Sequence, residues 1–482
     1  MRTINKWMVL ALLIVAVVAG CKEDPIPDPG NGDDNDKEDK QEAPELTQKI
    51  NEFVESAMND VYLWYDEIPE IDIRYEFEPE AYFEKLIYSE DKWSYITDDV
   101  DALLNSFEGK EKSFGYSLAF GSFSNTGDYF AIVEYVYPNT PAFEAGLKRG
   151  DILMELNNGV ITDENYMDLL SGSSISVTLG VLGEQGISPG ETVSMSSKDL
   201  NLNPVVITDI VEHEGSKIGY LFYAQYISEY NSSLDTALQF FLDEQITDLV
   251  IDLRYNPGGV TTAAQHLCSS IAPLSTVNGE EPLVTFQWND KYQSYWKSKN
   301  ITDQLEIPFV DTTAVKMGLN RVYFLTGSGT ASASELTIAG LEPYMDVTTI
   351  GNSTYGKYTG SITVTPDFYY ENEDYYNEFD NWGIQPIVVR YANSMGVTNF
   401  KDGFSPDIPV DDELFDAVPL GDKSEPLLKA ALEDITGTPV VAMKKAKVVD
   451  IPYTLFDRGF SKYDANKREM LIDNLERELL GK

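Results

Sequence analysis

The chain has 482 residues, of which 43% are hydrophobic, so it is long enough for about three folded units and can supply their buried cores. This composition excludes a wholly disordered protein. Its 35 Lys and Arg residues against 80 Asp and Glu residues give a formal net charge of -45, which would repel nucleic-acid phosphates, and we expect no nucleic-acid partner. The acidity extends along the whole chain and is interpreted as a solubility property.

Residues 1–21 have the organisation of an export signal. Two basic residues precede an apolar run over 7–19, which is shorter than the roughly 20 apolar residues that cross a bilayer. The sequence VAGC at 18–21 resembles the lipobox of bacterial lipoproteins, and the resemblance implies that Cys21 is lipidated after cleavage. We therefore expect a protein of the cell envelope whose lipid anchor in the outer membrane, on the periplasmic or the cell-surface face, is its sole membrane contact. An ordinary secretory signal is the alternative.

The segment after the export signal has few residues able to form a core, and the chain as a whole has few cysteines and histidines. Residues 22–44 contain no aromatic side chain, which predicts a disordered acidic tether. Beyond Cys21 the chain has one cysteine, Cys268, so no intramolecular disulfide is possible after cleavage. With two histidines, His213 and His266, it cannot supply four N and S ligands to a structural zinc ion, and we expect no metal or organic cofactor.

Helical periodicity and then strand alternation follow the tether. Apolar residues recur at helical spacing over 46–64 and a second helix opens at Pro79, so residues 45–112 are interpreted as an N-terminal helical domain. Short alternating strands are predicted at 116–120 and 129–136, before a short helix and another strand joined by a glycine turn.

The sequence TPAFEAGLKRGDILMELNN, at 140–158, resembles the hallmark of PDZ domains attached to bacterial proteases. This resemblance implies a PDZ-like domain over 113–200 whose backbone N–H groups bind a substrate carboxylate while the substrate adds to a strand edge. The residues implied in that loop are Gly115, Tyr116, Ser117 and Leu118. The alternative is a small β domain that serves only for packing.

Strands and helices alternate beyond residue 205. Strands are predicted at 217–222, 247–253, 321–326 and 347–351, and helices at 232–242, 260–271 and 331–342. The strands are apolar without alternation, which favours a largely parallel α/β core covered on both faces. Active sites of such cores lie at the carboxyl ends of the strands, where we expect 256–259, 327–332 and 352–357.

A serine and a lysine in two of these stretches are candidates for catalysis. Ser332 opens a predicted helix, where the helix dipole would stabilise an oxyanion, although from the serine alone a helix cap is favoured. Histidine is scarce, and His266 and Cys268 are two positions apart on one predicted helix, so their side chains diverge and cannot form a Cys–His pair. The base is therefore expected to be a lysine. Lys357 follows the next strand, where desolvation would favour the neutral amine that accepts a proton. A solvated surface lysine is the alternative.

The segment VYFLTGSGTASASE, with the later YGK at 355–357, resembles the active-site region of C-terminal processing (tail-specific) proteases. The resemblance implies that Ser332 is the nucleophile and Lys357 the base. IDLRYNPGG resembles a further family motif and implies an oxyanion hole formed by the N–H groups of Gly258, or Gly259, and Ala333.

The resemblance covers about 114–410 and ends with GFSPDIPV, a further family motif. The family commonly has a Gln four residues after the lysine to orient it, whereas this chain has Ser361 there, and Ser361 is an uncertain orienter. We expect a multidomain α/β fold with a ClpP/crotonase-like protease core over 201–440. A C-terminal extension over 441–482 is expected to end in an amphipathic helix at 460–482 that packs on the core.

The predicted function is that of an exported, lipid-anchored serine endopeptidase that acts on protein or peptide substrates. The alternative is a catalytically weak or inactive peptide-binding lipoprotein on the same scaffold. A glycan-binding protein is a third hypothesis, based on the acidic and aromatic stretch 366–382, which is otherwise interpreted as an exposed insertion with no assigned ligand.

Overall fold

The computed structural model describes residues 41–170, 172–183, 186–415, 417–441, 452–460, 470–473 and 475. The export signal, Cys21 and the tether up to residue 40 lie outside these ranges. Within the described ranges no helix is both long and apolar enough to cross a membrane.

The N-terminal region is helical, as the periodicity predicts. Its elements are α1 (Glu45–Val61), α2 (Pro79–Leu86), β1 (Tyr95–Thr97), α3 (Val100–Phe107) and β2 (Lys110–Ser113). The apolar face of α1 is fully buried at Phe53 and Val54, which join the main hydrophobic cluster of the protein. Because β1 pairs antiparallel with residues 383–385 of the core, this region is held to the core by backbone hydrogen bonds as well as by packing.

An antiparallel β-rich region follows. Its elements are β3 (Tyr116–Phe123), β4 (Tyr129–Val136), α4 (Pro141–Glu144), β5 (Ile152–Leu156), β6 (Gly159–Val160), α5 (Tyr166–Leu170), β7 (Ser174–Gly183), β8 (Gly186–Ser196) and β9 (Lys198–Asn201). The order β3-β4-β5-β7-β8 encloses a separate hydrophobic cluster that includes Leu118 and Leu153. The strands and the short helix lie where the alternation and the glycine turn predict them.

The core is built from strands that alternate with helices. Its elements are β10 (Val205–His213), β11 (Ser216–Tyr223), α6 (Asn231–Glu244), β12 (Asp248–Asp252), β13 (Gly259–Val260), α7 (Thr261–Ile271), α8 (Leu274–Asn278), β14 (Pro282–Trp288), α9 (Asp290–Lys299), β15 (Glu306–Pro308), β16 (Arg321–Thr326), α10 (Ala333–Leu341), β17 (Asp346–Gly351), β18 (Thr359–Ser361), α11 (Glu373–Tyr376), β19 (Gly383–Gln385), β20 (Ile387–Asn393), β21 (Ile408–Pro409) and α12 (Pro426–Thr436). One sheet has the order β10-β11-β12-β16-β17-β21, and its strands are parallel from β11 onward. This confirms the predicted α/β class, because apolar strands of this kind are covered on both faces.

The described part of the C-terminal extension contains the strands β22 (Tyr453–Phe460) and β23 (Met470–Leu471). β23 pairs in parallel with β13 and β18, inside the second core sheet of order β13-β23-β18-β20-β14-β15. The prediction of a helix over 460–482 is therefore wrong at β23, although Leu471 and Ile472 do pack on the core. A short apolar run fits both periodicities, and here the sheet supplies the backbone partners. The remainder of that predicted helix lies outside the described residues, apart from 473 and 475.

The stretch 366–382 is not simply exposed, as its acidity suggested. Phe379 is fully buried, and Tyr369 donates a hydrogen bond to Asp60 of α1 at 2.9 Å. Tyr375 donates to Glu52 of the same helix at 3.0 Å. Between this stretch and α1 lies a cavity of about 440 Å³, lined by Glu52, Tyr369, Tyr370, Glu371, Asn372 and Tyr375. The aromatic side chains thus pack the stretch on the N-terminal helix.

Candidate active site

Three loops meet at one edge of the parallel sheet. β12, β16 and β17 are neighbours with the same direction, so the loops that follow them emerge side by side. The N–H of Ala331 donates to the carbonyl of Asn256 at 3.1 Å, and the N–H of Tyr355 donates to the carbonyl of Thr330 at 2.9 Å. The structure therefore brings together the three stretches that the sequence predicted at this edge.

The approach of these loops depends on small side chains. A Cβ atom added to Gly329 would lie 2.6 Å from the carbonyl oxygen of Arg254, closer than real Cβ contacts allow. The hydroxyl of Thr330 donates to the carbonyl of Leu253 at 2.8 Å and fixes the same contact. A larger residue at position 329 would separate the loop after β16 from the loop after β12.

Ser332 is the N-cap residue of α10 and has a strained backbone, with φ 61° and ψ -112°. Positive φ is uncommon for a residue with a side chain, and it is often found at strand-to-helix turns that present a nucleophile. Its Oγ is directed toward the N–H of Glu335 as in a capping box, yet it makes no well-formed hydrogen bond with any described group. The side chain is fully buried, so this hydroxyl is held on a strained backbone and is out of contact with water that could supply the missing hydrogen bond.

The Glu335 carboxylate connects the backbone of Ser332 to that of Lys357. Its Oε2 accepts hydrogen bonds from the N–H of Ser332 at 2.9 Å and of Lys357 at 2.8 Å. Its Oε1 accepts from the N–H of Gly356 and the hydroxyl of Thr354, both at 2.6 Å. Because the Ser332 and Lys357 nitrogens share one oxygen, their separation cannot exceed these two bond distances added together.

Burial dominates the electrostatics of this carboxyl group. Removal from water raises the pKa of Glu335 to about 7, even though its four hydrogen bonds act in the opposite direction. Lys357 is 1% exposed, which contradicts the alternative of a solvated surface lysine. The candidate nucleophile, the candidate base and the carboxylate between their backbones therefore all lie in an interior of low polarity.

The two candidate oxyanion donors differ in their surroundings. Ala333 is the first residue of α10, where backbone N–H groups have no partner inside the helix. The N–H of Gly258 instead donates to Oδ1 of Asn256 at 2.9 Å, and Asn256 in turn donates to the carbonyl of Tyr223 at 2.9 Å. Gly259 has φ 138° and approaches the carbonyl of Tyr226 so closely that no Cβ would fit. An oxyanion would share the Gly258 N–H with Asn256 in this conformation.

Two family models match the chain, the peptidase S41 N-terminal domain over residues 49–95 and peptidase family S41 over residues 217–410. The second range contains all three loops of the site. The chain belongs to the peptidase S41 family of C-terminal processing proteases. The segment that resembled this family in sequence is thus assigned to it by independent comparison.

Relatives of this S41 chain are distant in sequence. A carboxyl-terminal-processing protease of Synechocystis is 24% identical over 314 residues, which cover 64% of this chain and 66% of that protein. A carboxy-terminal processing protease of Bacillus subtilis is 24% identical over 344 residues, which cover 68% of this chain and 60% of the Bacillus protein. The crystal structure of a protein assigned as an S41 protease from Bacteroides fragilis is 28% identical and has a TM-score of 0.65, with 80% of this chain and 97% of that chain covered. The chain thus spans slightly less than two thirds of the length of these curated relatives.

A buried charge cluster lies beneath the S41 loop that carries Gly258. Arg254 is 1% exposed and pairs with Asp252 at 2.8 Å and with Glu425 at 2.9 Å. A third acidic partner, Asp412, lies 3.2 Å from Arg254 and 2.6 Å from Arg149 of the β-rich region. The cluster therefore connects the β-rich region to the loop after β12.

The other predicted site residues occupy separate positions in this S41 fold. Ser361 lies at the end of β18, where its carbonyl accepts from the N–H of Ile472 at 3.0 Å, and its role as an orienter stays a prediction. The predicted peptide-binding residues lie at the start of β3. They are Gly115, Tyr116, Ser117 and Leu118; the sheet of β3 is separate from the sheet of β16, the strand that precedes Ser332, and Ser332 itself caps α10. The carbonyl of Gly115 accepts from the N–H of Tyr137 at 2.9 Å.

Among the described residues, Cys268 and His266 have surroundings unsuited to a nucleophile and its base. The thiol of Cys268 is fully buried, and burial raises its pKa to about 12. His266 is 2.8 Å from Asp235 through its Nε2 atom. This agrees with the expectation that the two side chains diverge along α7.

Sequence reasoning assigned no role to Glu335 or Asn256. A signal for Glu335 was present, because Ser332 and Glu335 have the spacing of a capping box, in which the acid accepts from the N–H of the cap residue. The further bonds of Glu335 to Gly356 and Lys357 are tertiary contacts, which helix-capping rules do not predict.

Proposed function

We propose that the protein is a serine endopeptidase with Ser332 as its nucleophile and Lys357 as its general base. The observation that carries this proposal is the Glu335 carboxylate, which holds the backbones of both residues through one oxygen. The strained backbone and under-satisfied hydroxyl of Ser332 support it further, since strain of this kind is costly and collects at functional positions.

In the proposed reaction, Ser332 Oγ attacks the scissile carbonyl carbon and its proton passes to Lys357 Nζ. The lysine then gives the proton to the departing amine, and water releases the acyl group from Ser332 in a second step. The N–H groups of Ala333 and Gly258 stabilise the tetrahedral oxyanion. Gly258 takes part by sharing or releasing its bond to Asn256, so rearrangement of that bond accompanies substrate binding.

The proposed substrates are protein segments that reach the site in an extended form. The likeness to processing proteases supports this class, and the PDZ-like sequence over 140–158 supports a peptide-binding role for the β-rich region. We place the protein in the cell envelope with a lipid on Cys21, on the basis of the export-signal pattern alone.

Cleavage of an unstructured test protein by the purified full chain tests the catalytic assignment. Ser332→Ala and Lys357→Ala are each expected to slow cleavage by at least about a thousandfold, as loss of a nucleophile or its base does in serine proteases. Ser328→Ala is the matched control, because Ser328 is an exposed serine of the same loop, and it is expected to keep the wild-type rate.

Cleavage at equal rates by the wild type and Ser332→Ala would refute the nucleophile. If neither protein cleaves and both bind C-terminal peptides, the chain is a binding protein. The replacement of the usual Gln by Ser361 and the engaged Gly258 N–H are the observations that favour this second candidate.

Incorporation of radiolabelled palmitate tests the anchor. The wild type is expected to be labelled and Cys21→Ala is expected to be unlabelled. Cys268→Ala is the matched control and is expected to keep the label, because Cys268 is buried in the core. Label that persists in Cys21→Ala would refute the lipid anchor.

A further inference from the structure

The edge of β3 that faces away from β4 is paired with β22, a strand of the C-terminal extension. β22 pairs antiparallel with β3, from Tyr453 opposite Phe123 to Phe460 opposite Leu118, on the side away from β4. The N–H of Ser124 extends the ladder by donating to the carbonyl of Pro452 at 2.8 Å. An extended segment is therefore already added to the strand that begins at the predicted carboxylate-binding loop.

Two side chains of β22, Phe456 and Asp457, contact α5 beside β3. The ring of Phe456 lies 5.6 Å from Tyr166 of α5, 5.8 Å from Tyr129 and 6.5 Å from Phe120 of β3, measured between centroids. The hydroxyl of Tyr166 donates to the carboxylate of Asp457 at 2.8 Å. Strand addition beside a helix, with side chains seated in the groove between them, is the mode by which PDZ domains bind peptides.

The pairing has features of a displaceable ligand. Two register shifts interrupt the ladder, between Leu455 and Asp457 and between Arg458 and Phe460. Such bulges leave residues unpaired and weaken the local ladder. Phe456 remains 44% exposed although it is the aromatic residue that contacts both walls of the groove. Register shifts also occur between β3 and β4, so the displacement of β22 is inferred from the partial exposure of the Phe456 ring and not from the bulges.

We infer that residues 453–460 are an internal ligand of the peptide-binding edge of β3, an autoinhibitory strand that an incoming extended peptide must displace. The inference deepens the proposed function, because it assumes that the β-rich region binds substrate peptides. It also assigns the chemistry of the preferred ligand. That ligand is an extended segment with an aromatic side chain against Phe120 and Tyr166, followed by an acidic residue within reach of the Tyr166 hydroxyl.

A reversible cross-link tests the displacement. Ser122 is half-buried and Thr454 is exposed, and the two are direct partners in the register. Opposite residues of antiparallel strands are about 4.5–5.5 Å apart at Cα, which matches the span of a disulfide. The variant Ser122→Cys/Thr454→Cys is made in the full chain with Cys21→Ala, which removes the remaining thiol besides buried Cys268, and with Ser332→Ala, which prevents peptide cleavage.

The probe is a fluorescein-labelled synthetic peptide with the sequence of residues 452–460, PYTLFDRGF, followed by fluorescence anisotropy. The oxidised variant is expected to bind at least tenfold more weakly than the same protein after reduction. Phe456→Ala, which removes the contact with both walls of the groove, is expected to bind the peptide at least about threefold more tightly than the parent. A peptide of scrambled sequence is the control and is expected not to bind the reduced form.

Equal binding by the oxidised and reduced forms would overturn the inference, as would absence of binding by both the reduced form and Phe456→Ala. The same cross-link is then placed in the chain that retains Ser332. Cleavage of the test protein is expected to fall on oxidation and to recover on reduction. If the cross-link controls peptide binding while no form cleaves protein, the catalytic proposal fails and the internal ligand stands.

Discussion

Substitution of Glu335 by Gln tests the balance between burial and hydrogen bonding at the centre of the site. The carboxylate accepts from four donors, two at each oxygen, and is almost fully buried. The amide of Gln has the same shape but presents an NH2 group to one of these donor pairs. The less costly orientation turns the NH2 group toward the Gly356 N–H and the Thr354 hydroxyl, which can rotate to accept from it, so one buried N–H loses its acceptor at a cost of roughly 1.5 kcal/mol.

The direction in which the stability of the wild type changes with pH follows from the pKa of Glu335, which is raised to about 7. An acid whose pKa is higher in the folded state than in the unfolded state, where it is near 4.5, binds its proton more tightly when folded. Its contribution to stability is complete below pH 4.5 or so and is lost as the pH rises through 7, a total of about 3 kcal/mol. The Gln variant has no titrating group at position 335, so its stability does not fall in this way as the pH rises. The destabilisation caused by Glu335→Gln is therefore expected to be largest near pH 5 and to shrink toward pH 8.

Urea unfolding of both proteins across this range measures the difference, with the exposed Glu80→Gln as the matched control that should show no such trend. A difference that stays constant or grows with pH would refute the reasoning, because it would mean that the four hydrogen bonds outweigh the cost of burial. In the cleavage assay, kcat is expected to fall about a hundredfold and KM to change little, since small displacements of reacting groups have effects of this size.

Three further substitutions or reactions probe the loops and the core around them. Arg254→Met would leave the Glu425 carboxylate buried without its partner, and a loss of about 3–5 kcal/mol is expected in urea unfolding; a loss below 1 kcal/mol or so would contradict this. Gly329→Ala places a Cβ 2.6 Å from a backbone oxygen and is expected to cost about 1–3 kcal/mol and to reduce cleavage, whereas Gly183→Ala, whose Cβ would make only an ordinary contact at 3.8 Å, should do neither. Cys268 is expected to resist iodoacetamide at pH 8 until the protein is unfolded, because burial raises its pKa to about 12; rapid alkylation of the native protein would argue against this burial.

The parts of the structure that sequence reasoning found are those with strong local signals. The strand at 321–326 is a run of apolar residues that leads directly into a helix, and the structure has β16 at the same positions. Ser332 and Lys357 follow neighbouring parallel strands, so topology alone brings their loops to one edge of the sheet. The contacts within that edge depend on glycine approaches and on the Glu335 carboxylate, which no periodicity encodes.

The wrong prediction at β23 and the missed strand β22 concern segments whose conformation is decided by distant partners. β22 and β23 pair with strands far away in the sequence, and β23 contains only two residues, too few to establish a period of any kind. The stretch 366–382 is acidic enough to be interpreted as exposed. Its tyrosines are nevertheless placed against α1, because Asp60 and Glu52 on that helix accept their hydroxyl groups. Hydrogen-bond partners of this kind are visible only once the helix and the stretch are adjacent.

The backbone of Lys357 is held by hydrogen bonds that do not involve position 361, where the family resemblance implies a Gln. The backbone of Lys357 is fixed by Glu335, and the preceding Gly356 donates to the same carboxylate. Position 361 lies at the end of β18, outside these backbone hydrogen bonds. A change of orienter there acts on the side chain beyond the Cα of Lys357, whereas a change of Glu335 acts on the backbones of the lysine and of Ser332 together. The carboxylate, a residue with no assigned role in the sequence reasoning, is for this reason the stronger determinant of the geometry between the two.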